Sequence, residues 1–304
     1  MKTHHIIYNP LAGNGKGKEV IKTFENFGND YPRNTLRFYN VLEMDDYKWF
    51  FGRISPEDDV IICGGDGTLS RFVNDISNVA VDNDIYYYAV GTGNDFLRDI
   101  GKIGTNYPVL INDYIKNLPT ITVKGRRYKF INGIGYGIDG YCCEEGDKLR
   151  AKTEKPINYT KIALKGLLYA FRRVSAKVTV DGREYLYKNV WLAPTMNGRY
   201  FGGGMMAAPD QNRLRSDGMV TNVVMFCKSK LKTLLAFPSI FKGRHVTEHK
   251  DIVEVHEGHS IKVEFDRPTP LQIDGETVRN VTEYCVEAVS NAVGSKLCAL
   301  TDIN

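Results

Sequence analysis

Residues 60–69, Val-Ile-Ile-Cys-Gly-Gly-Asp-Gly-Thr-Leu, constrain the fold more than any other stretch of the chain. Val60 to Cys63 form a short apolar run of the kind that makes a strand buried on both faces. Three glycines then surround one aspartate, and Ser70 to Asp75 read as the opening of a helix. Strand, glycine turn and helix in that order aim backbone N–H groups and a helix N-terminus at an anion. Glycine lets the backbone approach a phosphate with no Cβ in the way. Asp66 repels a bare phosphate and is expected to reach one through Mg²⁺. Gly64, Gly65, Asp66, Gly67 and Thr68 are therefore read as a nucleotide phosphate loop.

Two further loops share this design. Ile6-Ile7-Tyr8 reads as a strand that ends in Asn9-Pro10-Leu11-Ala12-Gly13-Asn14-Gly15-Lys16, with a helix expected over 19–27. The spacing departs from a P-loop, because Gly17 follows Lys16 where Ser or Thr is required. Residues 85–90 read as another strand, ending in Gly91-Thr92-Gly93-Asn94-Asp95-Phe96. In an open parallel sheet such loops gather at the carboxyl edge, where ligands bind. Asn94 or Asp95 also suits a helix N-cap, a role compatible with an active-site acid. A strand over 36–41 and a helix over 45–54 complete this α/β part.

From residue 120 the rhythm changes. Strand-like runs follow one another over 120–123, 128–131, 178–180, 185–187, 190–193, 220–226, 252–255, 261–265 and 271–273. Asp181-Gly182 and Ser216-Asp217-Gly218 punctuate them as turns. The chain of 304 residues is thus expected to fold as two domains, 1–124 and 125–304. The second is read as mainly antiparallel β. Charge divides with the fold: residues 1–125 carry net −3 and the remainder +7, so the second part suits an anionic surface. The acidic first part and the lack of a recognised module argue against nucleic-acid binding.

One helix is expected inside the β region, over 158–174. Ala163, Leu167, Ala170, Phe171 and Val174 fall on one side of it, and Lys161, Lys165 and Arg172 on the other. That basic side is either a solvated back or a face for anionic lipid headgroups. His245, His249, His256 and His259 lack the Glu of a zincin and any cysteine partner, and are read as a solvated set. The six scattered cysteines contain no C-x-x-C pair and are read as free thiols of a reducing cytosol. The N-terminal residues lack a signal-peptide h-region, and no apolar run approaches the length of a membrane span. A cytoplasmic protein in peripheral contact with an anionic membrane surface is expected. Assembly as a homodimer is compatible with the sequence and not required by it.

Several motifs now stand in a fixed order. After Asn9-Pro10-x-Ala12-Gly13, the Asp66 loop and Gly91-Thr92-Gly93-Asn94-Asp95-Phe96 come Asn197-Gly198-Arg199-Tyr200-Phe201-Gly202-Gly203-Gly204, Ala208-Pro209-Asp210, Ser216-Asp217-Gly218 and Gln272-Ile273-Asp274-Gly275-Glu276. With this set the chain resembles the diacylglycerol kinase/sphingosine kinase family of lipid kinases, in particular its soluble bacterial members, over nearly its whole length. The resemblance implies a phosphofructokinase/NAD-kinase-like parallel sheet followed by a β-sandwich, with the active site between them. It implies ATP as donor, Mg²⁺ and a lipid hydroxyl as acceptor, with a diacylglycerol-like lipid favoured. Asn9, Pro10, Gly13, Lys16, Gly64, Gly65, Asp66, Gly67, Thr68, Gly91, Thr92 and Asn94 then fall on the nucleotide loops. Glu276 matches the family's catalytic base, with Asp274 beside it, and Asp95 the acid near the acceptor hydroxyl. A metal site carries over to the Asp217 carboxylate and to the carbonyls of Leu214 and Met219, in addition to Asp66.

Some positions depart from the family pattern: Ser70 and Arg71 stand where Asn-Glu is frequent, Asp75 where glycine is, and Asn14 where a lysine occurs. From the residues alone, either Asp274 or Glu276 can take the acceptor proton. The Gly202–Gly204 run is read as either a flexible lip or a plain loop. An NAD kinase, and a catalytically silent lipid- or nucleotide-binding regulator, are the alternative functions. Asn9-Pro10 and Asp274-Gly275-Glu276 disfavour the first, and the joint presence of Asp66, Asp95 and Glu276 disfavours the second.

Overall fold

Apolar strands ending in glycine loops build the first of two units, Met1–Asn117 and Leu118–Asn304. The computed structural model describes residues 2–13, 15–30, 35–91, 93–153 and 157–289. In chain order the first unit holds β1 (Thr3–Tyr8), α1 (Glu19–Asp30), β2 (Thr35–Asn40), α2 (Tyr47–Phe51), β3 (Asp59–Gly64), α3 (Asp66–Asp75), β4 (Asp84–Ala89), α4 (Asp95–Asp99), β5 (Val109–Leu110) and α5 (Asn112–Ile115). The sheet order is β2-β1-β3-β4-β5. The first four strands are parallel and β5 is antiparallel to β4. β3 lies at the centre, and every one of its residues is buried, as its unbroken apolar run requires. Ile62 faces Ile7 on one side and Tyr87 on the other. Helix α3 begins at Asp66 itself, earlier than the Ser70 start expected from sequence, and packs Leu69, Phe72 and Val73 inward.

The second unit is antiparallel. It contains β6 (Thr120–Val123), β7 (Arg126–Lys129), β8 (Gly133–Tyr136), α6 (Ile138–Arg150), α7 (Tyr159–Lys165), β9 (Val174–Val180), β10 (Arg183–Leu192), β11 (Thr195–Met196), β12 (Tyr200–Phe201) and β13 (Met205–Met206). There follow β14 (Val220–Phe226), α8 (Lys230–Ala236), α9 (His245–Glu248), β15 (Val253–Gly258), β16 (Ser260–Ile273) and β17 (Glu276–Glu287). The main order is β7-β6-β17-β16-β8-β11-β14-β10-β9, and β9 pairs again with β16. Strands β16, β8, β11, β14, β10 and β9 therefore close into a barrel, with β17, β6 and β7 extending from β16 as a flap of sheet. Val178, Val190, Val224, Ile261, Val263 and Leu271 fill the interior. Thr120–Val123 pairs with β17 and so belongs to this sheet.

Two pairs of expected strands are single strands here. Runs 185–187 and 190–193 fall in β10, save Ala193 just past its end, across a register shift between Tyr187 and Val190, and Asn189 takes φ 59° there. Runs 261–265 and 271–273 are the two ends of β16, which shifts register between Glu264 and Thr269. The helix expected over 158–174 is also corrected. α7 passes at Gly166 into a π-helical turn over Gly166–Ala170, closed by Phe171 N–H donating to the Gly166 carbonyl, so the helix holds over 159–170 and breaks at Phe171, which is extended. Val174 starts β9, Arg172 lies outside the helix and Ala170 is exposed. The apolar period misled because Phe171 and Val174 are buried from non-helical backbone.

Candidate active site

The three glycine loops of the first unit leave adjacent strands at one edge of the sheet and are tied together by side chains. Asn9 Nδ2 donates to Thr68 Oγ1 at 2.8 Å, and Asn9 Oδ1 accepts the Leu11 N–H at 3.0 Å. The Asp66 carboxylate reaches across to α4, accepting the Asp95 N–H at 2.8 Å and the Phe96 N–H at 3.2 Å. Asp66 thus caps α4 from another loop, the role that sequence gave to Asn94 or Asp95. Asn94 takes φ 47° and donates from Nδ2 to the Gly91 carbonyl, while its buried Oδ1 has no hydrogen-bond partner among the described residues. Asp95 is buried at 4% exposure.

The glycines divide by role. A Cβ on Gly64 would meet the Thr68 side chain at 2.5 Å, so that glycine serves packing. A Cβ on Gly65 or Gly91 would meet nothing within 4 Å, and there the loops present open backbone. A Cβ on Gly13 would approach Val90 Cγ1 at 3.3 Å and lie 3.6 Å from Lys16 Cβ, so the first loop rests on the third. Pro10 is buried beneath that loop, Lys16 is exposed at its end, and Gly67 sits in the first turn of α3. The edge so formed has a helix N-terminus, uncovered glycine backbone and a nearby ammonium, an arrangement suited to phosphates. Thr92 and Asn14 lie outside the described residues. The departures at Arg71 and Asp75 explain each other: they form an ion pair at 3.6 Å one helical turn apart. Ser70 is buried, and its carbonyl accepts from Asn74 Nδ2.

In the second unit the two acids of the Asp274-Gly275-Glu276 turn differ sharply. Asp274 adopts φ 47° and points its carboxylate at the segment that leads into β8. Oδ2 accepts the Ile131 N–H at 2.7 Å, and Oδ1 accepts those of Asn132 and Gly133 at 2.8 and 3.1 Å. The same segment is held from its carbonyl side, where Asn197 Nδ2 and Arg213 Nη1 donate to the Ile131 carbonyl. Asp274 is therefore a clamp. Glu276 opens β17 exposed, and its side chain makes no hydrogen bond or ion pair among the described residues.

Sequence reasoning passed over Asp139. It is buried in the first turn of α6 and accepts from Gln272 Nε2 at 2.8 Å. Gln272 Oε1 in turn accepts the Gly275 N–H at 2.5 Å, which links Asp139 to the turn that carries Glu276. Burial pushes the Asp139 carboxyl up to about 6, and the Gln272 bond partly opposes that. A Cβ on Gly202 would stand 3.7 Å from Asp139 Oδ1, so the Gly202–Gly204 turn between β12 and β13 borders this acid. A signal was present: Gly137-Ile138-Asp139-Gly140 opens a helix after a strand, as Gly65-Asp66-Gly67 does.

In the proposed metal turn at 214–219, the Asp217 carboxylate and the Met219 carbonyl are engaged. Arg215 forks onto Asp217 at 2.5 and 3.0 Å, and its Nη1 also reaches Glu257 at 2.9 Å. The pairing with Arg215 holds the Asp217 carboxyl below its usual range. The Met219 carbonyl accepts from Gln211 Nε2, and the Leu214 N–H bonds to Asn212 Oδ1. A guanidinium therefore holds the Asp217 carboxylate in this turn. Among the described residues no group of three His, Cys, Asp or Glu side chains is arranged to hold an ion. The histidines are a correction too. His245 is fully buried and bonded through Nε2 to the Ala207 carbonyl, and His256 Nε2 meets the Tyr187 hydroxyl at 2.6 Å. Cys63, Cys142, Cys143 and Cys227 are free thiols, Cys285 is disulfide-bonded, which corrects the reading of all six as free, and Cys298 lies outside the described residues.

A mainly parallel α/β unit followed by an antiparallel barrel is the arrangement of the NAD kinase-like fold. The family comparisons agree. Residues 3–122 match the diacylglycerol kinase catalytic domain, and residues 132–293 match the YegS C-terminal NAD kinase beta sandwich-like domain. The chain belongs to the diacylglycerol kinase/YegS family of lipid kinases. It is 29% identical over 197 residues to a diacylglycerol kinase of Mycobacterium tuberculosis, a match spanning 62% of each chain. To a diacylglycerol kinase of Bacillus subtilis it is 25% identical, over 91% of this chain and 90% of that one. A diacylglycerol kinase crystal structure from Bacillus anthracis shares the fold with a TM-score of 0.62 at 19% identity, covering 95% of this chain and 94% of the other.

Proposed function

We propose that the chain transfers the γ-phosphate of ATP to the hydroxyl of a diacylglycerol-like lipid. The observation that carries the reading is the knitted edge of the first unit, where Asn9, Thr68 and Asp66 fix three glycine loops around open backbone at Gly65 and Gly91. That edge suits a polyphosphate, and phosphoryl transfer asks mainly for positioning and charge stabilisation. Asp66, whose carboxylate is fixed by the Asp95 and Phe96 amides, would hold the Mg²⁺ of the nucleotide. Mg²⁺ supplies neutralisation of the phosphate charge when bound.

On the acceptor side, Glu276 takes the hydroxyl proton while the hydroxyl oxygen bonds to the γ-phosphorus and the β–γ bridging bond breaks, releasing ADP. Glu276 is suited to this because Asp274 spends its carboxylate on backbone amides and Glu276 does not. Asp95, buried beside the Asp66 cap, orients the acceptor. The acceptor lipid places the reaction at a membrane surface. The test is labelled ATP offered with a panel of hydroxylated lipids in mixed micelles, and with NAD in a parallel reaction. Labelled diacylglycerol product supports the reading, whereas labelled NAD alone replaces it with an NAD kinase.

A further inference from the structure

Two stretches of the second unit, 159–174 and 228–244, contain nine Lys or Arg residues and no Asp or Glu. They pack together. Lys230 Nζ donates to the Leu168 carbonyl at 2.8 Å, and Arg173 donates to the carbonyls of Cys227 and Lys228. Leu167 and Phe171 from the first stretch share a buried cluster with Ala236 and Ile240 from the second. The outward side of this pair is unusually apolar. Leu231 and Leu235 are 65% and 71% exposed, and one helical turn separates them, so they share a face of α8. Tyr169, beside the Leu168 carbonyl that receives Lys230, is 81% exposed. The 3₁₀ turn Phe237–Lys242 continues α8 and adds Phe241 at 45%, edge-on to Phe237.

Singly exposed leucines are ordinary on a protein surface, but several large apolar side chains exposed on two packed stretches that carry nine cations and no acid are not. Lys161, Lys165, Arg172, Lys228 and Lys242 are exposed and form no ion pair among the described residues. Leucine and aromatic side chains surrounded by lysine are the chemistry of an interfacial segment that lies in a bilayer surface. The lysine stems extend beside the apolar group while their ammonium ends reach anionic headgroups.

We propose that α8, the Phe237–Lys242 turn and the Gly166–Ala170 turn form a membrane-docking face. Leu231, Leu235, Phe241 and Tyr169 enter the interfacial layer of an anionic bilayer, and the surrounding cations pair with its headgroups. This rests on the lipid-acceptor reading for its purpose, not for its evidence, and replaces the single basic helix expected from sequence. The π-helical turn at 166–170 has a part in it: continuing α7, it carries exposed Tyr169 beside the Leu168 carbonyl that Lys230 of α8 reaches.

The test is cosedimentation without nucleotide, using vesicles of phosphatidylcholine alone or with one quarter phosphatidylglycerol. Wild type binds the anionic vesicles, and less tightly as salt rises. Leu231→Gln with Leu235→Gln, both at exposed positions, weakens that binding by about tenfold or more, as loss of two inserted leucines requires. Leu235→Trp gives an emission band that shifts to the blue on anionic vesicles and is quenched by brominated lipid. Equal vesicle binding by wild type and the double glutamine variant, with no blue shift, overturns the proposal. So does a concentration-dependent dimer in sedimentation equilibrium that the double variant abolishes, since a second copy would then cover the face. Because no ATP is present, a failed lipid-kinase assay leaves this result intact, and the reverse.

Discussion

Asp274 separates a structural acid from a reacting one, and its removal has a size that can be worked out. Its carboxylate accepts three backbone N–H groups, at 2.7, 2.8 and 3.1 Å. Hydrogen bonds to a charged acceptor contribute about 1.5–3 kcal/mol each, and an N–H left without a partner costs about 1–3 kcal/mol. One carboxylate makes all three and water reaches the turn, so they do not add, and about 4 kcal/mol is a fair total for Asp274→Ala. Alanine at φ 47° adds about 1 kcal/mol. For a unit of this length the melting midpoint should fall by about 10–15 °C. Asp274→Asn keeps one oxygen and a residue tolerant of positive φ, so about 2 kcal/mol is expected. Scanning calorimetry and circular dichroism measure both. If Asp274→Ala melts within about 2 °C of wild type while turnover collapses, the clamp is worthless and Asp274 is itself the reacting acid.

Other expectations are more local. Asp66→Ala should cost about 1–2 kcal/mol, the usual loss of a helix cap, and speed hydrogen exchange at the Asp95 and Phe96 amides; Asp66→Asn should destabilise less yet abolish Mg-dependent transfer, and unchanged turnover would leave capping as its only role. Folding favours the neutral form of Asp139, whose carboxyl is raised to about 6, so its contribution is complete below about pH 4 and lost as the pH rises through 6. Asp139→Asn should therefore gain about 3 kcal/mol on wild type between pH 4 and pH 8 in denaturant titrations, and parallel profiles would refute the assignment. Chelation with EDTA should leave the nucleotide-free melting midpoint unchanged, while Arg215→Ala lowers it, because Arg215 holds the 211–219 turn through Asp217, Glu257 and Gln211. A midpoint that drops with EDTA would mean that a metal shares this turn.

The strands and the three glycine loops were legible because each is a local pattern: apolar runs of strand length, each closed by glycine. Local pattern also explains the errors. The 158–174 helix was overrun because buried residues kept a helical spacing through a wide turn and into β9. Long-range roles left no trace in the sequence. Gly64 and Gly65 look alike, and only the Thr68 side chain folded onto one of them separates packing from open backbone. Asp274 and Glu276 could not be told apart, because the partners of Asp274 lie some 140 positions earlier. Asp139 repeated a pattern already recognised at Asp66, and its burial completes the signal.

The central claim is that an exposed, unpaired Glu276 takes the proton of a lipid hydroxyl, and a single-turnover comparison tests it most directly. Wild type and Glu276→Gln are mixed with excess mixed-micellar diacylglycerol and γ-labelled ATP, and labelled lipid is followed with time. Because the Glu276 side chain has no partner among the described residues, Glu276→Gln should melt with wild type and bind ATP equally well. Its rate of lipid phosphorylation should fall about 10²–10⁴-fold, the usual worth of a general base. Transfer by Glu276→Gln at the wild-type rate would place the base elsewhere and contradict the account.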